Sequence, residues 1–168
     1  DNGWIKDWGY IDFRDDSMIM DAHASTTGSA VLLDGTYSWR DYIFKASVYL
    51  TKGQVFSLTA RYKDGKNYTA CSFSDKSIRV EQVLDGERKT LHEWKDDFRF
   101  IDRSREVGIA ADGDIVDCYI DNRTAVRGYN LDKRLDHGGI GFKTWDPGIN
   151  NSEIIVKEGQ KVSKGDLL

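Results

Sequence analysis

From Tyr42 to Leu50 every second residue is apolar, as Tyr42, Phe44, Ala46, Val48 and Leu50, with Lys45 and Ser47 among the residues between them. Successive side chains on a strand point to opposite faces, so a period of two describes a half-buried strand and does not suit a helix. Phe56, Leu58, Ala60 and Tyr62 repeat the pattern against Ser57, Thr59 and Arg61, and Gly53 between the two runs supplies the turn of a hairpin. Asp64-Gly65, Asp85-Gly86, Asp112-Gly113 and Asp121-Asn122 then punctuate the chain, as expected of tight reversals between antiparallel strands. Strands are predicted at 68–73, 77–84, 88–94, 105–111, 115–120, 138–145 and 152–157, after three short ones at 10–14, 17–22 and 29–33. No stretch sustains a helical apolar stripe, which limits helix to a turn or two near 14–16 or 131–135. About a dozen strands in one open sheet would curl or split. The expected fold is therefore all-β, a two-sheet antiparallel β-sandwich.

A chain of 168 residues makes one domain, long enough to bury roughly two thirds of its unfolded surface. We expect the sandwich to occupy 1–158 and 159–168 to be a tail or the start of a linker. An aromatic fraction of 12% excludes disorder, and the lack of any apolar run near ~18 residues excludes helical membrane insertion. The 24 basic and 28 acidic residues are interspersed and the sequence pI is about 5.4, which argues against a nucleic-acid partner. Asp1 reads as a processed or excised start, with the domain part of a larger multidomain protein. Cys71 and Cys118 allow at most one bridge and match no zinc spacing. Two buried free thiols are the expectation, with a disulfide as the alternative.

The succession "SWRDYIFKASVYL", "FSLTARYKDGKNYTACSF", "VLDGERKTL", "VGIAADGDIVDCYIDN" and "HGGIGFKTW" resembles the concanavalin A-like, laminin-G-like jelly-roll superfamily. It is most similar to carbohydrate-binding modules and to the 3-keto-disaccharide hydrolase-type domain. The resemblance implies a jelly roll and a carbohydrate ligand. One fold of this kind hosts many activities, so the function has to come from a site.

Catalytic signals are weak. Retaining glycosidases hold two carboxylates about 5 to 5.5 Å apart, whereas Glu81, Asp85 and Glu87 straddle an Asp-Gly turn, and Asp112, Asp114 and Asp117 are cut by Gly113. The Glu-x-Asp-x-x-Glu strand of jelly-roll glucanases is absent. His23, His92 and His137 lie in no motif, and no serine sits in a nucleophile elbow. No catalytic residue is assigned; a glycoside hydrolase or polysaccharide lyase of the same superfamily and a laminin-G-like protein-interaction domain are the alternatives.

Binding chemistry is better represented. Aromatic faces stack on the C–H patches of sugars while charged groups meet the hydroxyls. If the aliphatic set faces inward, Ser57, Thr59, Arg61, Arg79, Glu81, Asp117, Tyr119, Lys143 and Trp145 face outward, with Trp39 contributing from a loop. The carbohydrate-binding expectation rests on Trp39, Arg61, Arg79, Tyr119, Lys143 and Trp145. Trp4 and Trp8 read as core or edge-covering residues.

No cofactor is required. The resemblance makes a structural calcium conceivable, with Glu153 at the opening of the last strand as its ligand, although Ser152 stands where the family pattern has Asp. Asn67-Tyr68-Thr69, Asn122-Arg123-Thr124 and Asn150-Asn151-Ser152 match the glycosylation acceptor pattern, which suggests a secreted or cell-surface protein. "VKEGQKVSKGDLL" also resembles the opening hairpin of biotinyl and lipoyl carrier domains, but completion of the sandwich at 154–157 followed by a tail is the preferred reading.

Overall fold

Two antiparallel sheets account for nearly all of the described chain. The computed structural model describes residues 3–21, 30–100, 102–144, 153–157 and 161–164. Its strands are β1 (Trp4–Trp8), β2 (Tyr10–Phe13), β3 (Ser17–Asp21), β4 (Ala30–Leu33), β5 (Tyr42–Lys52), β6 (Val55–Asp64), β7 (Asn67–Ser74), β8 (Ser77–Leu84), β9 (Glu87–Lys95), β10 (Ser104–Asp112), β11 (Ile115–Ile120), β12 (Arg123–Gly128), β13 (Gly139–Lys143), β14 (Glu153–Lys157) and β15 (Lys161–Lys164). A single 3-10 turn, Lys133–Leu135, is the only helical element among the described residues, and it falls in one of the two segments expected to hold one.

The seven-stranded sheet runs β1-β4-β13-β6-β7-β8-β9. The eight-stranded sheet runs β12-β11-β10-β5-β14-β3-β2, and β15 also pairs with β5. This is the expected sandwich. Three strands lie outside the sequence-derived set. β1 carries little alternation, and β12 has only Val126 and Gly128 buried. β15 lies in the expected tail: Lys161–Lys164 pair with Lys45–Tyr42, on the strand where Glu153–Val156 pair with Lys52–Val48. Lys161–Lys164 thus extend the sheet, because β5 is long enough to carry both partners.

Alternation along β5 builds the core as read. Tyr42, Phe44, Ala46, Val48 and Leu50 are buried and the residues between them are half-buried. Facing them from the other sheet are Phe56, Leu58 and Ala60 of β6, Cys71 and Phe73 of β7, and Phe142 of β13. Trp4, Phe44 and Phe142 meet at 5.3 to 5.8 Å between ring centres, the tilted and edge-on geometries that aromatic quadrupoles favour. The Asp85-Gly86 and Asp121-Asn122 turns have positive φ at both central residues, the type I′ geometry whose twist matches flanking strands.

The two cysteines correct the thiol expectation. Cys71 and Cys118 form a disulfide that links β7 to β11 and so joins the two sheets through the core. Each lies on the inward face of its strand, and the sequence shows that inward placement but not that the two positions oppose one another across the sandwich. The bridge closes 47 residues of chain, worth about 4 kcal/mol in the chain-entropy account.

Candidate functional site

Strand alternation gives the seven-stranded sheet a second, outward face with an unusual makeup. Ser57 and Thr59 of β6, Ser72 of β7, Glu81 of β8 and Lys143 of β13 point away from the core, yet all are buried. Glu81 accepts hydrogen bonds from Ser72 Oγ and, at 2.9 Å, from Arg88. Ser72 is also 2.8 Å from Ser57 Oγ, so the three strands β6, β7 and β8 are joined by a side-chain chain ending at a half-exposed guanidinium. Lys143 Nζ donates to Tyr68 Oη at 2.6 Å and lies over the Tyr68 and Trp8 rings at 4.2 and 5.6 Å. Tyr68 in turn stacks on Tyr62 at 5.4 Å, and Tyr62 donates to Asp7 Oδ2 at 2.5 Å. Burial and Asp7 together push the Tyr62 phenol well above its ordinary range.

Trp8 reaches this face through an irregularity. Lys6 pairs with Val31 and Trp8 with Ala30, so Asp7 is an extra residue and the bulge reverses the facing of everything after it. Trp4 is therefore core, while Trp8 stands half-buried beside Lys143. Trp4 is thus core as expected, whereas Trp8, also expected in the core or at an edge, stands on the outward face because of the extra residue. Thr59 is fully buried and its hydroxyl has no hydrogen-bond partner among the described residues. Opposite it stands Gly141, where an added Cβ would lie 2.8 Å from that oxygen. Bare backbone thus sits beside an unbonded hydroxyl, and leaving such a group buried costs about 1 to 3 kcal/mol.

The six expected sugar contacts separate into distinct places. Arg79 and Lys143 share this face; Arg79 is half-buried, in register with Ser72 and Glu93. Trp145 lies outside the described residues. Tyr119 is on the opposite surface of the molecule, the outward face of the eight-stranded sheet, beneath the Lys45 ammonium at 5.0 Å. Asp117 is there too, held bidentate by Arg127 at 2.6 and 2.8 Å. Alternation shows which residues share a strand face but not which sheet a strand joins, and β11 joined the other one. Trp39 is half-buried against Tyr42, at 5.9 Å between rings.

Arg61 is buried and acts as a clamp, not as part of an open rim. Its φ of 48° turns the side chain off the strand face toward the end of the sandwich. There it donates to Arg40 O at 2.9 Å, Gly113 O at 2.5 Å, Leu135 O at 3.0 Å and Asp41 Oδ1 at 2.9 Å. Tyr42 Oη accepts from Arg61 N at 2.7 Å and donates to Gly138 O at 3.0 Å. An added Cβ at Gly138 would lie 2.3 Å from Arg61 C, so only glycine allows this approach. The "SWRDY" and "ARY" phrases are thereby explained: Asp41, Tyr42 and Arg61 tie four chain segments together.

Glu153 is half-buried and its Oε1 accepts from Thr51 Oγ1 at 2.7 Å. No group of three or more carboxylate, histidine or cysteine side chains suited to a metal forms among the described residues. Of the histidines, His92 Nδ1 lies 2.8 Å from Arg127 O and His137 Nδ1 2.7 Å from Asp136, while His23 lies outside the described residues. No described helix is long and apolar enough to cross a membrane.

No protein-family model matches the chain, and no curated protein matches it in sequence. Solved structures do. A carbohydrate binding module, CBM66 from Bacillus subtilis, superposes with a TM-score of 0.77 at 16% identity, covering 97% of this chain and 96% of that one. A beta-glucanase from Bacillus licheniformis gives 0.64 at 11% identity, covering 99% and 94%. A family 7 alginate lyase, A1-II′, gives 0.61 at 14% identity, covering 95% and 82%. At such identities the likeness is one of fold, and the chain has the concanavalin A-like jelly-roll fold that its sequence resembles.

Proposed function

We propose that this domain is a non-catalytic carbohydrate-binding module that holds a polysaccharide or oligosaccharide on the outward face of the seven-stranded sheet. The observation that carries the reading is the makeup of that face: a half-buried indole and guanidiniums backed by a buried polar layer. Trp8 offers an apolar platform for the C–H patch of a sugar ring, with Arg79 and Arg88 to meet hydroxyls. Glu81 fixes Arg88 and Lys143 backs Trp8, so the contacts are preorganised and little side-chain entropy is lost on binding. Trp145 belongs to the same proposed set, since it follows β13 by two residues. The structural neighbours include a carbohydrate binding module, which supports the ligand class.

Glu81 is already committed to Ser72 and Arg88, an arrangement suited to holding a guanidinium and not to proton transfer, and this favours binding over hydrolysis or lyase chemistry. A buried disulfide fits an oxidising compartment, so we place the module in a secreted or cell-surface protein as one part of a larger chain. Nucleic acid and membrane insertion are not part of the reading. Glycan-array and affinity-gel binding test it. Retention on at least one polysaccharide, with no release of reducing ends or unsaturated product, is the expected result; product release would assign the domain to the enzymes instead.

A further inference from the structure

At the end of the sandwich, the connections β4–β5, β10–β11 and β12–β13 converge around a cleft of about 390 Å3. We propose that this cleft is a second saccharide-binding site, selective for neutral sugars and independent of the sheet face. Its volume lies at the low end of small-molecule pockets, about 300 to 1,000 Å3, and suits a mono- or disaccharide.

The walls are fixed before any ligand arrives. Arg61, at the base, ties Arg40, Asp41, Gly113 and Leu135 to one another, and Asp41 also accepts from Gly113 N at 2.9 Å. Asp132 caps the 3-10 turn through Arg134 N, and its own N–H donates to Gln82 at 2.8 Å. Leu131 and Leu135, both buried, lie beneath the cleft and anchor its β12–β13 wall in the core.

Two charged side chains at the mouth are uncommitted. The Asp114 carboxylate and the Lys133 ammonium are exposed and make no hydrogen bond or ion pair with the described residues, although Asp114 O receives Leu131 N at 2.9 Å. Among the described residues, Arg40 is held by a 3.6 Å ion pair to Asp136. An acceptor, a donor and a loosely held guanidinium around a fixed wall match the hydroxyls of a sugar. The lining holds three cations, Arg40, Arg61 and Lys133, against four carboxylates, of which Asp41, Asp132 and Asp136 are already paired. Lys63 and Arg134, from outside the lining, complete the pairing of Asp136 and Asp132, and Asp114 is matched by Lys133, so no charge is left over to hold a uronate and neutral sugars are the ligand class.

The test is a set of NMR titrations of backbone amides on the whole domain. The probes are neutral gluco-, manno-, galacto- and fructo-oligosaccharides, with tri-galacturonate as the acidic comparison. At least one neutral probe should shift the amides of Gly113, Asp114 and residues 131–136. Asp114→Ala, which removes no internal contact, should weaken that response about tenfold with the melting temperature unchanged. Trp8→Ala should leave it intact. Silence of these amides toward every neutral probe, or preference for tri-galacturonate, overturns the cleft. A responsive cleft beside a silent sheet face would keep this proposal and remove the sheet-face site instead.

Discussion

The two outward surfaces of the sandwich are built from similar residues and put them to different use. On the eight-stranded sheet, β5 shows half-buried residues at alternate positions, and each ion pair keeps one partner about half exposed: Arg127 over the buried Asp117, and Asp121 beside Arg105. A partner left open to water keeps part of its hydration and lowers the cost of the pair. On the seven-stranded sheet the corresponding groups are buried: Lys143 is 3% exposed and Glu81 1%. A sheet face that buries an ammonium among aromatic rings and a carboxylate among hydroxyls carries a desolvation cost, which a plain solvent-facing wall has no reason to incur. The proposed ligand face rests on this contrast.

The disulfide is what holds the two faces back to back, so its loss should have the largest effect. The Cys71→Ala/Cys118→Ala double variant should lose about 4 kcal/mol in denaturant unfolding. Next is a direct contrast between the faces. Glu81→Ala strands Arg88 and Ser72 and should cost about 3 kcal/mol, whereas Lys45→Ala on the opposite face, which gives up an exposed hydrogen bond to Asn122, should cost about 1 kcal/mol or less. Equal costs in the two unfolding curves would erase the distinction. Thr59→Val removes the unbonded hydroxyl while nearly keeping its volume. It should leave the domain as stable as before or more stable by about 1 kcal/mol, and a clear loss would show that the hydroxyl is bonded after all.

The smallest effect concerns protonation. Arg134 pushes the Asp132 carboxyl down to about 2 from its usual 3.8. A depressed folded-state value means that the stability it contributes is present above the unfolded-state value and is lost as the pH falls through the folded-state one. An NMR titration of the Asp132 side chain should therefore find it charged through pH 3. Arg134→Ala should return its midpoint toward the ordinary carboxylate range.

How much of this was legible in the sequence differs between fold and site. Period-two runs such as Tyr42 to Leu50 and turns such as Asp85-Gly86 carry their own geometry, so strands and reversals could be read locally. Sheet membership could not, because β11 and β8 show comparable alternation but lie in opposite sheets, and that separated Tyr119 from Arg79. A single extra residue, Asp7, moved Trp8 outward, and a positive φ at Arg61 turned a strand residue into a loop clamp. Cys71 and Cys118 each read correctly as inward positions, yet their pairing depends on how the two sheets are superposed. What the sequence lacked was the third dimension across the sandwich, not the chemistry of its residues.

The central claim is that ligand is held by one face and not the other. Isothermal titration of the polysaccharide found on the glycan array, against the unmodified domain, Trp8→Ala and Tyr119→Ala, tests it most directly. Binding should be at least tenfold weaker for Trp8→Ala, about 1.4 kcal/mol, and unchanged for Tyr119→Ala. Full affinity in Trp8→Ala together with loss in Tyr119→Ala would contradict it.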